Sequence, residues 1–337
     1  MSYVDTIFVT GGTGFLGRHL VAALCRAGYQ LRILSRHPKD HTWLKRYDNL
    51  EVIRGDLRDA AAVRKALDGS RYVIHAAALF RFWGNPADFK VINVGGTKNI
   101  LAASYDAGVE KFIHISTAAV YGNPDPENII DETYTPYPAD PYQQSKYEAE
   151  LCAQDFYEKY DFPIVILRPG AFYGPLGTYA FNRLFFHDPM RGIIMQIEGG
   201  RHIIFPAYIG DVADSILKAL DKGRLGEIYN VCGDWISHKE AFDIVCEAAN
   251  LRWPRLNLPG WVGITASRVL EVVSAITHRE PFWPLNLRSY VYNNWRISSE
   301  KARQELGFAP ISFQEGARRT IEWYKAGRPD HIPEIEC

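Results

Sequence analysis

The stretch IFVTGGTGFLGRHLVAAL, residues 7–24, constrains this chain more than any other. Four strand-forming residues lead into a cluster of glycines, and an amphipathic helical pattern follows. Gly11, Gly14 and Gly17 fit TGxxGxxG, while Gly12, Gly14 and Gly17 fit GxGxxG. Bare glycines let a pyrophosphate approach backbone N–H groups at the positive end of a helix, where side chains would block it. The turn therefore predicts dinucleotide contacts from Gly11, Gly12, Thr13, Gly14, Phe15, Leu16 and Gly17. A purely structural turn is the plain alternative.

The pattern that follows keeps the same rhythm. Strand-like runs at 31–35, 50–56, 72–78, 111–117 and 163–170 alternate with helical patterns near 59–68, 88–107 and 142–160. Such alternation predicts an α/β fold: a Rossmann-type, doubly wound parallel sheet with right-handed crossovers. After residue 172 aromatics and prolines become frequent, and one more β-like run appears at 227–233. The expected division is a dinucleotide-binding domain of residues 1–172 plus about 207–233. A smaller C-terminal substrate-binding lobe would take 173–206 plus 234–337.

Bulk properties narrow the class. A net charge of −1 gives no reason to expect nucleic acid as a partner. Five scattered cysteines, at 25, 152, 232, 246 and 337, have no metal-ligand spacing and point to a reduced chain without a metal site. The N-terminal MSYVDTIFVTGG lacks the basic and long apolar segments of a secretory leader, and no apolar run is long enough to span a bilayer. A cytoplasmic location is the expectation.

The second strand ends LRILSRHPK, so Ser35 and Arg36 stand where an NAD site carries its ribose-binding acid. A guanidinium pairs with a 2′-phosphate and a carboxylate repels it, so NADP(H) is favoured over NAD(H). The alternative is an Arg36 that merely faces solvent. Asp56, after the third strand, is placed to meet the adenine edge or to sit idle in an exposed loop.

Of nineteen tyrosines only Tyr142 has a lysine four residues on, at Lys146. On a helix the two share a face. An ammonium and a cationic nicotinamide would both stabilise a phenolate, letting Tyr142 exchange a proton with a substrate oxygen. The pair opens a helix after HISTAAVYG, which puts Ser116 and Thr117 at the sheet edge where ligands of open α/β sheets bind. His75 and His114 lie inside apolar runs and read as core residues.

The ordered set TGGTGFLG, GDL, HAAA, NVGGT, ISTAAVYG, PYQQSK and LRPGAFYGP resembles the extended short-chain dehydrogenase/reductase superfamily over residues 7–175, with an echo in SSEKARQELGFAP. The resemblance implies Tyr142 as acid/base, Lys146 as its partner and Thr117 as the oxygen-orienting hydroxyl, with Ser116 the weaker choice. It also implies cofactor contacts at Asp56, Leu57, Ala76, Ala77, Ala78, Asn93, Pro169 and Gly170, and from Tyr142 and Lys146 themselves. Pairing of two copies through helices 88–107 and 142–160 is a further expectation from the same source.

Several substrates fit the superfamily. Its sugar dehydratases carry acidic residues after the catalytic threonine, where this chain has Ala118 and Ala119. Its nucleotide-sugar epimerases place a phosphate-binding arginine seven residues before the aspartate of DVA; Ile204 stands there, with Arg201 out of register. Phe80, Phe82 and Trp83 follow HAAA and would form an aromatic wall beside Thr117, an idea extended by Phe181 to Phe186 and by Phe282 and Trp283. The segment resembles the dihydroflavonol-reductase-like and 3β-hydroxysteroid-dehydrogenase-like branches. The favoured reading is NADP(H)-dependent interconversion of a secondary alcohol and a ketone on a small, fairly apolar, steroid-like or flavonoid-like molecule. Packing of the aromatics in a core, a nucleotide-sugar epimerase, and a non-enzymatic redox sensor or scaffold are the alternatives. The set Thr117, Tyr142 and Lys146 argues against the last.

Overall fold

The computed structural model describes residues 5–252 and 254–330. The first residues of the N-terminal stretch, the end of the expected C-terminal lobe and Cys337 lie outside them. Seven parallel strands form one sheet: β1 (Thr6–Thr10), β2 (Gln30–Ser35), β3 (Leu50–Arg54), β4 (Tyr72–His75), β5 (Lys111–Ile115), β6 (Ile164–Pro169) and β7 (Ile228–Val231). Their spatial order is β7-β6-β5-β4-β1-β2-β3, the doubly wound arrangement that the alternation predicts. Order reverses between β1 and β4, which pair in the register Thr10 to His75.

The central strands are covered on both faces, which is why runs such as IFV in β1 and IVIL in β6 are apolar, whereas the edge strand β3 stays partly exposed. The helices Phe15–Arg26 and Ile209–Lys222 close one face around Leu20, Val21, Ile209, Val212 and Ile216. The helices Ala60–Leu67, Gly96–Asp106 and Pro141–Tyr160 close the other around Ala66, Leu101 and Ala153. Ala302, Leu306 and Phe308 return late in the sequence to the first of these clusters.

Four of the expected strand runs overshoot by two or three residues at their C-terminal ends. There the chain leaves the ladder: the Ala76 and Ser116 N–H groups make last bonds to Thr10 and Leu167, and Ala76–Ala78 and Ser116–Thr117 line a cavity. Past β6 a second core gathers Tyr173, Phe181, Phe185, Phe186, Phe242 and Phe313 around the helices His238–Ala249 and Phe313–Lys325. That core holds up the far wall of the cavity. No helix among the described residues is long and apolar enough to cross a membrane, and the described cysteines are free thiols.

Candidate active site

A cavity of about 740 Å³ runs along the C-terminal edge of the sheet, from Arg36 at one end to Val291 at the other. At the β1 turn the glycines are structurally required. Gly11 has φ +75°, and a Cβ there would meet the Ala76–Ala77 peptide at 2.7 Å. A Cβ on Gly17 would lie 2.2 Å from the Gly11 carbonyl oxygen, so only glycine lets the helix start this close to the turn. Gly14, the N-cap of Phe15–Arg26, offers no side-chain cap and the first turn has no acid. The Gly14 N–H itself donates to the Gly11 carbonyl at 3.0 Å, and the first intrahelical bond runs from Arg18 to Gly14, so the N–H groups of Phe15, Leu16 and Gly17 are left for an anionic ligand. Thr13, Gly14, Phe15, Leu16 and Gly17 line the cavity here, an arrangement that fits a dinucleotide pyrophosphate.

At the ends of β2 and β3, Ser35, Arg36, Asp56 and Leu57 also line the wall, joined by Arg18 and Arg58, which the sequence reading missed. Arg58 grips Asp56 with both prongs, Nε to Oδ1 at 3.0 Å and Nη2 to Oδ2 at 2.7 Å. Chiefly through this pair, the Asp56 carboxyl is held down at about 2. Arg36 stays exposed beside it.

The helix Pro141–Tyr160 carries Tyr142 and Lys146 into the middle of the cavity. Asp140 caps it, accepting from the Gln143 N–H at 2.8 Å, and Pro141 occupies the first position. A buried ion pair fixes its depth: Arg168 on β6 donates Nε to Glu150 at 3.1 Å and Nη1 to the Tyr121 hydroxyl at 2.8 Å. Lys146 donates to the Ile115 carbonyl at 2.6 Å, and burial brings its ammonium down to about 8, opposed by Glu150. The Thr117 hydroxyl lies close enough to the Tyr142 phenol to favour its ionisation, yet burial and then the charge of Asp140 outweigh this and raise the phenol above its ordinary value. Lys146, which donates to the Ile115 carbonyl, is not among the groups that shift the phenol, and the lowering expected from the sequence draws also on a cationic nicotinamide. Ser116 also lines the cavity, with a buried hydroxyl that has no partner.

Beyond Tyr142 the wall is aromatic. Phe80 packs on Tyr142 at 4.7 Å between ring centroids, Phe82 on Tyr290 at 5.1 Å, and Tyr179 against both phenylalanines at 5.7 Å. Tyr179 and Tyr290 were not anticipated; their only signal is the aromatic richness of their segments. Phe181, Phe185 and Ile204 complete this end, while Phe186 stacks on Tyr173 in the second core, Trp283 is buried against Phe82, and Phe282 faces solvent. Ala76, Ala77, Ala78, Pro169 and Gly170 lie on the wall between the halves.

Three expected contacts fall elsewhere. Gly12 packs towards Ile33, where a Cβ would meet the side chain at 2.9 Å, so it serves the β1–β2 contact rather than the cavity. Asn93 is buried and spends itself on structure: Oδ1 accepts from the Leu79 N–H at 2.7 Å and Nδ2 donates to the Ser145 hydroxyl at 2.8 Å. It ties the Leu79 strap to the Tyr142 helix. Trp83 is not on the cavity wall; Phe80 and Phe82 are, and the chain bends at residues 82–84. His75 and His114 are buried, as core residues; His75 bridges the Thr10 and Thr97 hydroxyls at 2.7 and 2.9 Å, and burial drives it down to about 3.

This geometry agrees with the comparisons to known proteins. The family model "NAD dependent epimerase/dehydratase family" matches residues 7–232. The chain belongs to that family. Among its relatives is mouse dTDP-D-glucose 4,6-dehydratase, 29% identical over 96% of this chain and 90% of that protein. Another is a 4-hydroxy-2-methyl-3-oxo-4-farnesyl-3,4-dihydroquinoline-1-oxide ketoreductase of Stigmatella aurantiaca, 28% identical over 92% and 93%. Among solved structures, DesIV, a dTDP-glucose 4,6-dehydratase from Streptomyces venezuelae with NAD bound, aligns with a TM-score of 0.79 at 25% identity over 96% and 98% of the two chains. As a member of this family the protein is an NAD(P)-dependent enzyme of the extended short-chain dehydrogenase/reductase type.

Proposed function

We propose that this enzyme reduces a ketone on a small, fairly apolar molecule, or oxidises the matching secondary alcohol, with NADP(H) as cofactor. One observation carries the substrate reading. All the lysines and arginines on the cavity wall, Arg18, Arg36, Arg58 and Lys146, belong to the dinucleotide end or lie beneath Tyr142. Among the described residues the far wall offers no lysine or arginine to a second phosphate. Ile204 takes the position where a phosphate-binding arginine would stand, and Arg201 points outward, its side chain 71% exposed and paired with Glu198. Burying a phosphate there uncompensated would be costly. The ketoreductase relative supports the same reading, while the dehydratase relatives keep a sugar-nucleotide epimerase as the second one.

Roles follow from position. Thr13, Gly14, Phe15, Leu16 and Gly17 would hold the pyrophosphate and Arg36 the 2′-phosphate, while Arg58 neutralises Asp56. The bound nicotinamide supplies or accepts hydride. Thr117 orients the substrate oxygen, Lys146 holds the ribose, and Tyr142 moves the proton. A phenol kept protonated by burial is poised to donate, which suits the direction of ketone reduction. In this reading the lobe of 173–206 and 234–337 supplies the aromatic substrate wall, and two copies pair in the cytoplasm through helices that expose Tyr105, Leu151 and Tyr160.

The test is thermal unfolding of the NADP(H)-saturated enzyme with UDP or dTDP added. A ligand at a hundredfold excess over its Kd adds about 2.7 kcal/mol of stability. No rise in midpoint is expected. A saturable rise would overturn the apolar reading in favour of the epimerase one.

A further inference from the structure

The helix Gly260–Thr277 is built inside out. Its buried residues are Gly260, Gly263, Ser267 and Ser274, and the Tyr292 hydroxyl donates to the Gly260 carbonyl at 3.0 Å across that small-residue face. Leu270 packs inward against Leu287 and its neighbours, but the larger apolar set points away from the protein: Trp261 is 70% exposed, Val269 60%, Val272 65% and Ile276 78%. At 3.6 residues per turn these side chains, with Val262, Thr265 and Val273, fall within an arc of roughly 120°, centred opposite the buried face. No charged residue lies in that arc. Arg268 borders it and Arg279 follows the helix end, both exposed. The nearby carboxylates are occupied, Glu271 by the Leu285 N–H at 2.9 Å and Glu280 by the Tyr179 hydroxyl.

We propose that this helix seats the enzyme on an anionic lipid surface, with its Trp261–Ile276 stripe among the headgroups and the ends of the acyl chains. An amphipathic helix lies in the interface in this way, aromatic and aliphatic side chains down and basic ones at the headgroups. The area argues for lipid over a second copy of the chain. An 18-residue helix is about 27 Å long and about 10 Å wide. The resulting few hundred Å² fall well short of the roughly 800 Å² per partner that a stable dimer buries. The stripe also adjoins the cavity: Ile276 is four residues from Glu280, which holds Tyr179 on the aromatic wall, and Leu287 beside the helix lines it too. An apolar substrate would then enter from the lipid rather than through water, a benefit that rests on the substrate reading above although the binding itself does not.

The experiment is flotation of the NADP(H)-loaded full-length enzyme with vesicles of phosphatidylcholine alone or mixed with phosphatidylserine. The enzyme is expected to float with the mixed vesicles. The Val272→Glu/Ile276→Glu variant should lose at least about tenfold in bound fraction, with its unfolding midpoint and NADP(H) affinity unchanged because both side chains face solvent. An enzyme that stays in the lipid-free fractions with both vesicle types overturns the proposal. So does a dimer in light scattering that the double variant dissociates, since a second copy would then cover the stripe. Neither readout involves turnover, so a failed substrate assignment leaves this result standing, and the reverse also holds.

Discussion

The two halves of the cavity are made by different means. The dinucleotide half is largely backbone: a glycine turn, open N–H groups and the ends of β2 and β3, with Arg36 and Arg58 adding charge. The substrate half is almost wholly side chain, an aromatic and aliphatic wall assembled from Phe80, Phe82, Tyr179, Ile204 and Tyr290. A ligand read by backbone demands particular residues at fixed local spacing, because only glycine permits the approach. A ligand read by an apolar wall demands only shape and volume, which many residues at many positions can supply. The glycine turn should therefore tolerate no change, and the aromatic wall should change readily without harm to it.

Tyr142 stands where the halves meet, so Tyr142→Phe separates them most sharply. Removing the hydroxyl takes away proton transfer while keeping the ring that packs on Phe80. We expect kcat/KM to fall by about 10² to 10⁴, with NADP(H) affinity, measured by fluorescence titration, close to that of the unaltered enzyme. If affinity fell in parallel, the phenol would be part of the dinucleotide half and the division would be misplaced.

The same contrast explains what could be read from the sequence. The sheet order, Gly11, Gly14, Gly17, Thr117, Tyr142 and Lys146 were all visible, since each lies in a short motif whose spacing encodes one local geometry. Tyr179 and Tyr290 were not, because nothing local distinguishes a tyrosine that meets Phe82 across the cavity from one in a core. Trp83 follows Phe82 into a bend and leaves the wall, a turn that the run of aromatics does not encode. Asn93 shows a different limit: a polar residue in a motif can also serve by tying two segments together, and only its partners Leu79 and Ser145 reveal that. The raised phenol of Tyr142 likewise depends on depth of burial, which no spacing encodes.

Asp140 tests how dry the junction is. It is 7% exposed, its Oδ2 has no hydrogen-bond partner, and burial pushes its carboxyl up to about 6 from an ordinary 3.8. The Tyr290 hydroxyl lies against it and pulls the carboxyl the other way, but less strongly than burial pushes it up. Between those two values the folded chain keeps a proton that the unfolded chain releases. This contribution to stability is therefore complete below about pH 4 and is lost as pH rises through about 6, a change of about 3 kcal/mol. Asp140→Asn keeps a good helix cap and removes the titration. Urea unfolding from pH 4 to 7 should show the variant gaining on the unaltered enzyme as pH rises. Parallel curves would mean that water reaches the carboxylate.

Arg36→Ala gives the smallest expected effect and bears on the chemistry of the dinucleotide half alone. The side chain is exposed and screened, so a charge-assisted bond to a 2′-phosphate should contribute near the lower limit, about 1.5 kcal/mol or roughly tenfold. Asp56 matters to the sign of the result. An unpaired carboxylate there would repel the phosphate, but Arg58 holds it in a two-pronged pair and leaves Arg36 free to act. The ratio of kcat/KM for NADPH to that for NADH should therefore drop about tenfold in the variant, with the NADH value almost unmoved. An unchanged ratio would shift the 2′-phosphate contact to Arg58. A ratio already below one in the unaltered enzyme would make this half an NAD site, with Asp56 released from Arg58 to take the ribose.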